Sequence, residues 1–249
     1  MYPFPEGNDN TNASAIDITR FPHLTGVADV VFNPLRTVLV TKAKSIGIPA
    51  DGGLYMLVAQ AVAASEKFLD TEMDRSIVDR IYRDLRASKE NIVLVGMPGC
   101  GKSTVGEMLS QMLNRPFIDC DEEIVKRAGK PITEIFAEVG EEGFRKIEAD
   151  VIGEIAKSAQ GSVISTGGGA ILRDENVARL KRNGKLYFLD RPIENIKPTP
   201  SRPLSMDRAA LQKRYEERYP RYIAVSDCHI RTNENIENTI QTIQEDFYT

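Results

Sequence analysis

Gly96-Met97-Pro98-Gly99-Cys100-Gly101-Lys102-Ser103-Thr104 is the stretch that decides the fold. Just before it, Ile92-Val93-Leu94-Val95 reads as a short buried strand. Just after it, Val105, Met108, Leu109 and Leu113 recur at helical spacing. Strand, G-x-x-x-x-G-K-S and helix is the context that a phosphate-binding loop requires. The glycines let the backbone curl until successive N–H groups point at one anion. The helix that follows adds its positive end. Lys102 can reach the β- and γ-phosphates, and the Ser103 hydroxyl can ligate Mg²⁺. A glycine-rich turn that matches by chance is the rival reading. The strand and helix on either side favour the phosphate loop.

The chain of 249 residues lies between one and two domains by length, and 41% hydrophobic with 27% charged residues is ordinary for a globular protein. A formal charge of −4 gives no electrostatic case for nucleic acid or an anionic membrane as partner. No apolar run reaches the length of a membrane span, and the N-terminus lacks the regions of a signal peptide, so a cytoplasmic location is expected. Cys100, Cys120 and Cys228 form no C-x-x-C pair and read as small filling residues. His23 and His229 have no carboxylate or cysteine partner in sequence and are assigned no role.

Downstream of the loop the punctuation is α/β throughout. Pro116–Asp121 reads as a second strand ending in Asp119 and Asp121, with alternation sending both carboxylates to one side. Ligands gather at the carboxyl ends of strands in open α/β sheets. There one acid can hold Mg²⁺ or its water and the other can deprotonate an acceptor hydroxyl. Capping of a helix beginning at Glu122 is the plainer reading for Asp121 alone. Ile132, Ile135, Phe136 and Val139 mark one amphipathic helix, and Phe144, Ile147, Val151 and Ile155 a second from near Glu142. On the second, Arg145 and Glu148 sit three apart, so the carboxylate can fix the guanidinium for an anionic ligand. Ser162–Ser165 reads as a third strand, followed by Gly167-Gly168-Gly169, where a backbone can approach a ligand closely. Lys185–Leu189 is a fourth strand. The proline-rich stretch Arg191–Pro203 then carries Arg202, as a lid over a transferring phosphoryl would. A charged helix, a fifth strand Cys228–Arg231 and a helix Ile236–Phe247 close the domain.

From about residue 90 to the end, these ordered motifs resemble shikimate kinase, a P-loop kinase of the nucleoside-monophosphate-kinase type. They are the phosphate loop, Asp119-x-Asp121, Phe144-Arg145-x-x-Glu148, Gly167–Gly169, Arg202-Pro203-Leu204 and Arg218-x-x-x-Tyr222. The resemblance implies a five-stranded parallel sheet with helices on both faces and a short lid. It implies that Gly99, Cys100, Gly101, Lys102, Ser103 and Thr104 hold ATP. Ser103 would ligate Mg²⁺ with Asp119 nearby, and Asp121 would bind shikimate hydroxyls and activate the acceptor. Arg145 and Arg218 would clamp the shikimate carboxylate, Gly167, Gly168 and Gly169 would contact the substrate, and Arg202 would close on the phosphates. Lys102, Asp121 and Arg202 are the catalytic set it implies. Arg221 competes with Arg218 for the second clamp, and Thr232–Asn235 is a candidate for the adenine. A gluconate kinase and a non-catalytic nucleotide-binding protein are the rival readings.

The N-terminal part carries a different resemblance. Residues 28–32 read as a strand ended by Asn33-Pro34, Thr37–Ile46 as a helix closed by Gly47, and Leu54 to about Phe68 as an apolar helix. Asp29–Thr37 and Gly53–Gln60 are similar to the C-terminal end of shikimate dehydrogenase. In that family the positions of Gly53 and Gln60 lie at the nicotinamide and at shikimate. The family's dinucleotide loop and catalytic lysine and aspartate have no counterpart here, so hydride transfer is not expected. Residues 1–70 read as a dehydrogenase-like remnant, 71–89 as a linker helix with Ile77, Ile81 and Leu85 in one stripe, and 90–249 as the kinase domain.

Overall fold

The computed structural model describes residues 16–196, 208–232 and 235–249. The chain divides into two compact units, residues up to Arg86 and residues from Ala87 onward.

In the first unit, β1 (Val27–Ala28) pairs in parallel with β2 (Ala50–Asp51), and α1 (Val38–Ser45) lies between them in sequence. The strand expected over residues 28–32 stops after Ala28. Asp29 Oδ1 accepts from the Val31 N–H at 3.0 Å, a local turn that competes with the ladder. Its other oxygen accepts from the Thr37 hydroxyl at 2.6 Å, while Thr37 Oγ1 caps α1 by accepting from Val40 N–H. Ile18, Val40, Ala43 and Ala50 form a small core. Helix α2 (Leu54–Leu69) buries Leu54 and Val58 and leaves Tyr55, Met56, Leu57 and Phe68 exposed. Gly53 before it abuts the Val30 carbonyl so closely that a Cβ would overlap it. Helix α3 (Ser76–Lys89) carries the chain into the second unit.

The second unit begins with β3 (Asn91–Val95), all five residues of which are buried. It continues through α4 (Lys102–Leu113), β4 (Phe117–Asp119), α5 (Cys120–Ala128), α6 (Ile132–Ser158), β5 (Val163–Ser165) and α7 (Asp174–Asn183). Next come β6 (Gly184–Asp190), α8 (Arg208–Val225), β7 (Cys228–Arg231) and α9 (Ile236–Tyr248). The five strands form one parallel sheet in the order β4-β5-β3-β6-β7. Helices cover both faces, as strands this uniformly apolar require. The first strand in sequence is central. The chain leaves it toward one edge and later crosses to the other, which puts the ligand crevice at the carboxyl end of β3.

The end of the second strand and the cap of the helix after it are corrected here. The second strand ends at Asp119, and α5 starts at Cys120 rather than Glu122. Asp121 is therefore on the first helical turn, and strand alternation does not align it with Asp119. Asp119, not Asp121, caps the helix, its Oδ1 accepting from the N–H groups of Asp121 and Glu122 at 2.9 and 3.4 Å. The helical limbs expected on either side of residue 140 do exist, joined at Gly140, whose φ of 67° breaks the run. Phe136 and Phe144 stack 4.5 Å apart across that break. Of the stretch read as a lid, Ile193–Asn195 forms a single 3-10 turn. Arg202 lies outside the described residues, as do Asn233 and Glu234 of the adenine candidate.

Candidate active site

The loop from Gly96 to Gly101 leaves β3 with positive φ at three glycines: 152° at Gly96, 81° at Gly99 and 101° at Gly101. These are angles that side chains resist. At Gly96 there is no room either, since a Cβ would stand 2.7 Å from the Leu189 carbonyl oxygen. The backbone N–H groups of Gly101, Lys102, Ser103 and Thr104 meet no acceptor among the described residues. They are the open donors of a helix start. Lys102 is only 5% exposed, and its Nζ donates to the Gly96 and Met97 carbonyls at 2.9 and 3.0 Å. The ammonium thus folds back over the loop it serves.

Ser103 lies at the head of α4 and Asp119 at the tip of β4. The Ser103 hydroxyl donates to Asp119 Oδ2 at 2.7 Å, with Ser165 Oγ 3.5 Å away on β5. Register explains the meeting, because Asp119 pairs with Ser165, and Ser165 with Leu94 just upstream of the loop. The result is a small cluster of hard oxygen atoms beside the phosphate cradle. Cys120, buried next to them, has its thiol pushed up by burial and then by Asp121 and Asp119, so it fills space as an uncharged side chain.

The glycine triplet forms the opposite wall. Its members are required by crowding rather than by backbone angle. A Cβ on Gly167 would stand 2.7 Å from Glu148 Oε1 and 2.9 Å from Asp121 Oδ1. One on Gly168 would stand 2.6 Å from the Pro98 ring, and one on Gly169 would fall on the Arg145 guanidinium. The triplet therefore brings the phosphate loop, Asp121, Glu148 and Arg145 to one corner.

Arg145 and Glu148, i and i+3 on the second limb of α6, pair at 2.7 Å, and Arg145 also reaches Glu141 at 3.3 Å. Burial pulls the Arg145 guanidinium down, but Glu148 and Glu141 together hold it above its usual value. Burial raises Glu148, partly offset by Arg145. Its second oxygen, Oε1, is buried with no hydrogen-bond partner among the described residues. Arg218 reaches the same corner from α8, donating to the Gly168 carbonyl at 3.1 Å. It is 6% exposed, and among the described residues it makes no ion pair with a carboxylate. Burial lowers it, and the neighbouring Arg145 lowers it further. Arg221 is spent elsewhere, on the Ile171 carbonyl and on Asp174.

Positions 98–247 match the family model for shikimate kinase. The chain belongs to the shikimate kinase family. It is 40% identical over 161 residues to the shikimate kinase of Clostridium beijerinckii, covering 63% of this chain and 94% of that protein. Among solved structures, the Acinetobacter baumannii shikimate kinase in complex with shikimate shares 34% identity at a TM-score of 0.60, covering 66% of this chain and 94% of that one. The Aquifex aeolicus shikimate kinase shares 36% at a TM-score of 0.55, covering 62% and 94%.

Within this shikimate kinase fold, the described residues singled out in sequence, the loop Gly99–Thr104, Asp119, Asp121, Arg145, Gly167–Gly169 and Arg218, lie around the carboxyl end of the central strand. Sequence reading places Tyr222 in the Arg218-x-x-x-Tyr222 motif without a role and gives His229 none. The Tyr222 hydroxyl donates to the Gly168 carbonyl at 2.6 Å, alongside Arg218. Its spacing of four from Arg218 on one helix was the available signal. His229, unpaired in sequence, meets Asp190 Oδ2 at 2.8 Å, and the Tyr219 hydroxyl donates to the same oxygen at 3.1 Å. That contact runs diagonally across the β6–β7 pair, whose register sets His229 opposite Phe188 and Asp190 opposite Arg231.

Proposed function

We propose that the second unit transfers the γ-phosphoryl group of ATP to shikimate, giving 3-phosphoshikimate and ADP. The observation that carries this reading is Arg218, a buried guanidinium that makes no ion pair among the described residues and feels Glu148 and Glu141 without contacting them. It stands beside a second buried guanidinium, across the glycine triplet from a phosphate loop. A carboxylate-bearing acceptor supplies the direct ion pair that Arg218 lacks.

In this reading the open N–H groups of Gly101–Thr104 bind the phosphates of ATP, together with Gly99 and Cys100 of the loop. Lys102 exchanges its carbonyl partners for phosphate oxygens. Arg145, held by Glu148, and Arg218, held by Gly168, bind the shikimate carboxylate. Asp121 accepts the proton of the acceptor hydroxyl as its oxygen bonds to the γ-phosphorus and the bond to the β-phosphate oxygen breaks. Gly167, Gly168 and Gly169 shape the wall against which the ring lies. Arg202 completes the set from beyond the described residues. Most of the rate gain comes from positioning and charge neutralisation.

The Ser103 and Asp119 oxygens suit Mg²⁺, a hard cation that takes one or two protein oxygens plus phosphates and water. When bound there it would neutralise charge on the β- and γ-phosphates. Residues 1–70 are read as a dehydrogenase-like remnant without hydride-transfer activity, on the likeness of Asp29–Thr37 and Gly53–Gln60.

The test is ADP release in the presence of Mg²⁺ and ATP, with shikimate, gluconate or no acceptor, on wild type and Lys102→Ala. Shikimate-dependent release that is lost in the variant supports the assignment. Release with gluconate alone overturns the acceptor, and ATP binding without turnover on either overturns the enzyme. A parallel assay for NADP-dependent shikimate oxidation is expected to read zero.

A further inference from the structure

A second cation faces the phosphate loop from outside it. Arg191 follows Asp190, the last residue of β6. Its Nη1 lies 3.9 Å from the point where a Cβ on Gly101 would stand. Gly101 has no side chain and turns at a φ of 101° into α4. Nothing of its own therefore separates the guanidinium from the open N–H groups at the helix start.

Arg191 is half-buried, and among the described residues it has neither a hydrogen bond nor an ion pair. Other half-buried arginines of this unit are occupied. Arg115 donates to the Glu90 and Ala87 carbonyls, and Arg221 to the Ile171 carbonyl and Asp174. The neighbouring acid does not neutralise it either, since Asp190 is engaged by Tyr219 and His229. Its backbone is pinned. Strand β6 is paired on both sides, the Asp190 carbonyl accepts from Thr232 N–H and Oγ1 at 2.9 and 3.2 Å, and Pro192 follows. A guanidinium on a pinned backbone, unpaired among the described residues and beside an anion cradle, is available to an anion.

We propose that Arg191 is a nucleotide-binding residue that pairs with the phosphate chain of ATP, on the Gly101 side of the loop opposite Lys102. This rests on the ATP-dependent reading above. Lys102 acts as a point charge on the loop's inner side. Arg191 adds a planar fork on the outer side that can take two oxygens at once.

The test is ADP affinity by calorimetry on wild type, Arg191→Ala and Arg191→Lys. It is joined by KM for ATP and for shikimate and by inhibition against ATP by inorganic pyrophosphate. Arg191→Ala is expected to weaken ADP about tenfold, as loss of a charge-assisted contact does. KM for ATP and the pyrophosphate inhibition constant should rise in step, with KM for shikimate unchanged. Arg191→Lys should recover part of the loss. Unchanged ADP affinity in Arg191→Ala overturns the proposal. So does a loss that spares pyrophosphate, which would put the contact on the base, or one that raises both KM values alike, which would make the role structural. If wild type itself fails to bind ADP, the kinase reading falls first and this inference with it.

Discussion

Gly169 lies directly under the guanidinium of Arg145, so close that a Cβ there would occupy the space of Cζ and both terminal nitrogens. The guanidinium proposed to clamp the carboxylate is thus held from two sides, by Glu148 through charge and by Gly169 through the absence of a side chain. Gly169→Ala is expected to displace Arg145 while leaving the phosphate loop alone. KM for shikimate should rise roughly tenfold to a hundredfold, the scale of a misplaced binding group. KM for ATP should hold. Equal effects on both substrates would mean that the whole corner had collapsed.

Arg218 and Arg221, three residues apart on α8, should separate cleanly. Arg218→Ala removes a buried guanidinium aimed at the site and should reduce kcat/KM for shikimate by about a hundredfold. Arg221→Ala breaks an exposed pair with Asp174 and should cost about 1 kcal/mol or less, with kinetics intact. The reverse pattern in steady-state assays would transfer the clamp to Arg221.

Glu148 makes stability depend on pH in a defined direction. Its burial raises the folded pKa above the ordinary 4.5. The stability tied to the protonated form is therefore fully present below 4.5 and is lost as pH rises through the folded value. Urea titrations followed by circular dichroism from about pH 4 to about pH 7 should show wild type losing stability relative to Glu148→Gln across that window. Parallel curves for the two proteins would rule this out.

Asp119 serves two masters, the cap of α5 and the Ser103 hydroxyl. Asparagine caps a helix as well as aspartate does, but carries no charge. Asp119→Asn should melt within a degree or two of wild type, roughly the effect of a few tenths of a kcal/mol, yet need more Mg²⁺ for half-maximal rate. Asp119→Ala should lose about 1 kcal/mol of stability as well. Unchanged Mg²⁺ dependence in the asparagine variant would confine Asp119 to capping.

Much of this fold was legible because its signals are local. The β3–loop–α4 unit is contiguous in sequence, and β7 and α9 follow from uninterrupted periodicity. Register was less legible. Whether Asp119 or Asp121 ended the strand turned on one capping hydrogen bond, which a residue string does not contain. The His229–Asp190 contact joins residues 39 positions apart through strand pairing. The glycine triplet could be read as close approach, but what each glycine approaches came only from four separate elements meeting. Arg221 against Arg218 was a question of helical phase, answered by where Gly168, Ile171 and Asp174 lie.

The crowding around Gly167, Gly168 and Gly169 bears on resistance. A small molecule that takes its affinity from this corner contacts positions where any added side chain strikes Glu148 and Asp121, Pro98 or Arg145. A mutation there that expelled the inhibitor would also displace Arg145, Glu148 and Asp121 or the phosphate loop at the same stroke. Escape would have to arise from more distant parts of the pocket, which makes the triplet a durable target.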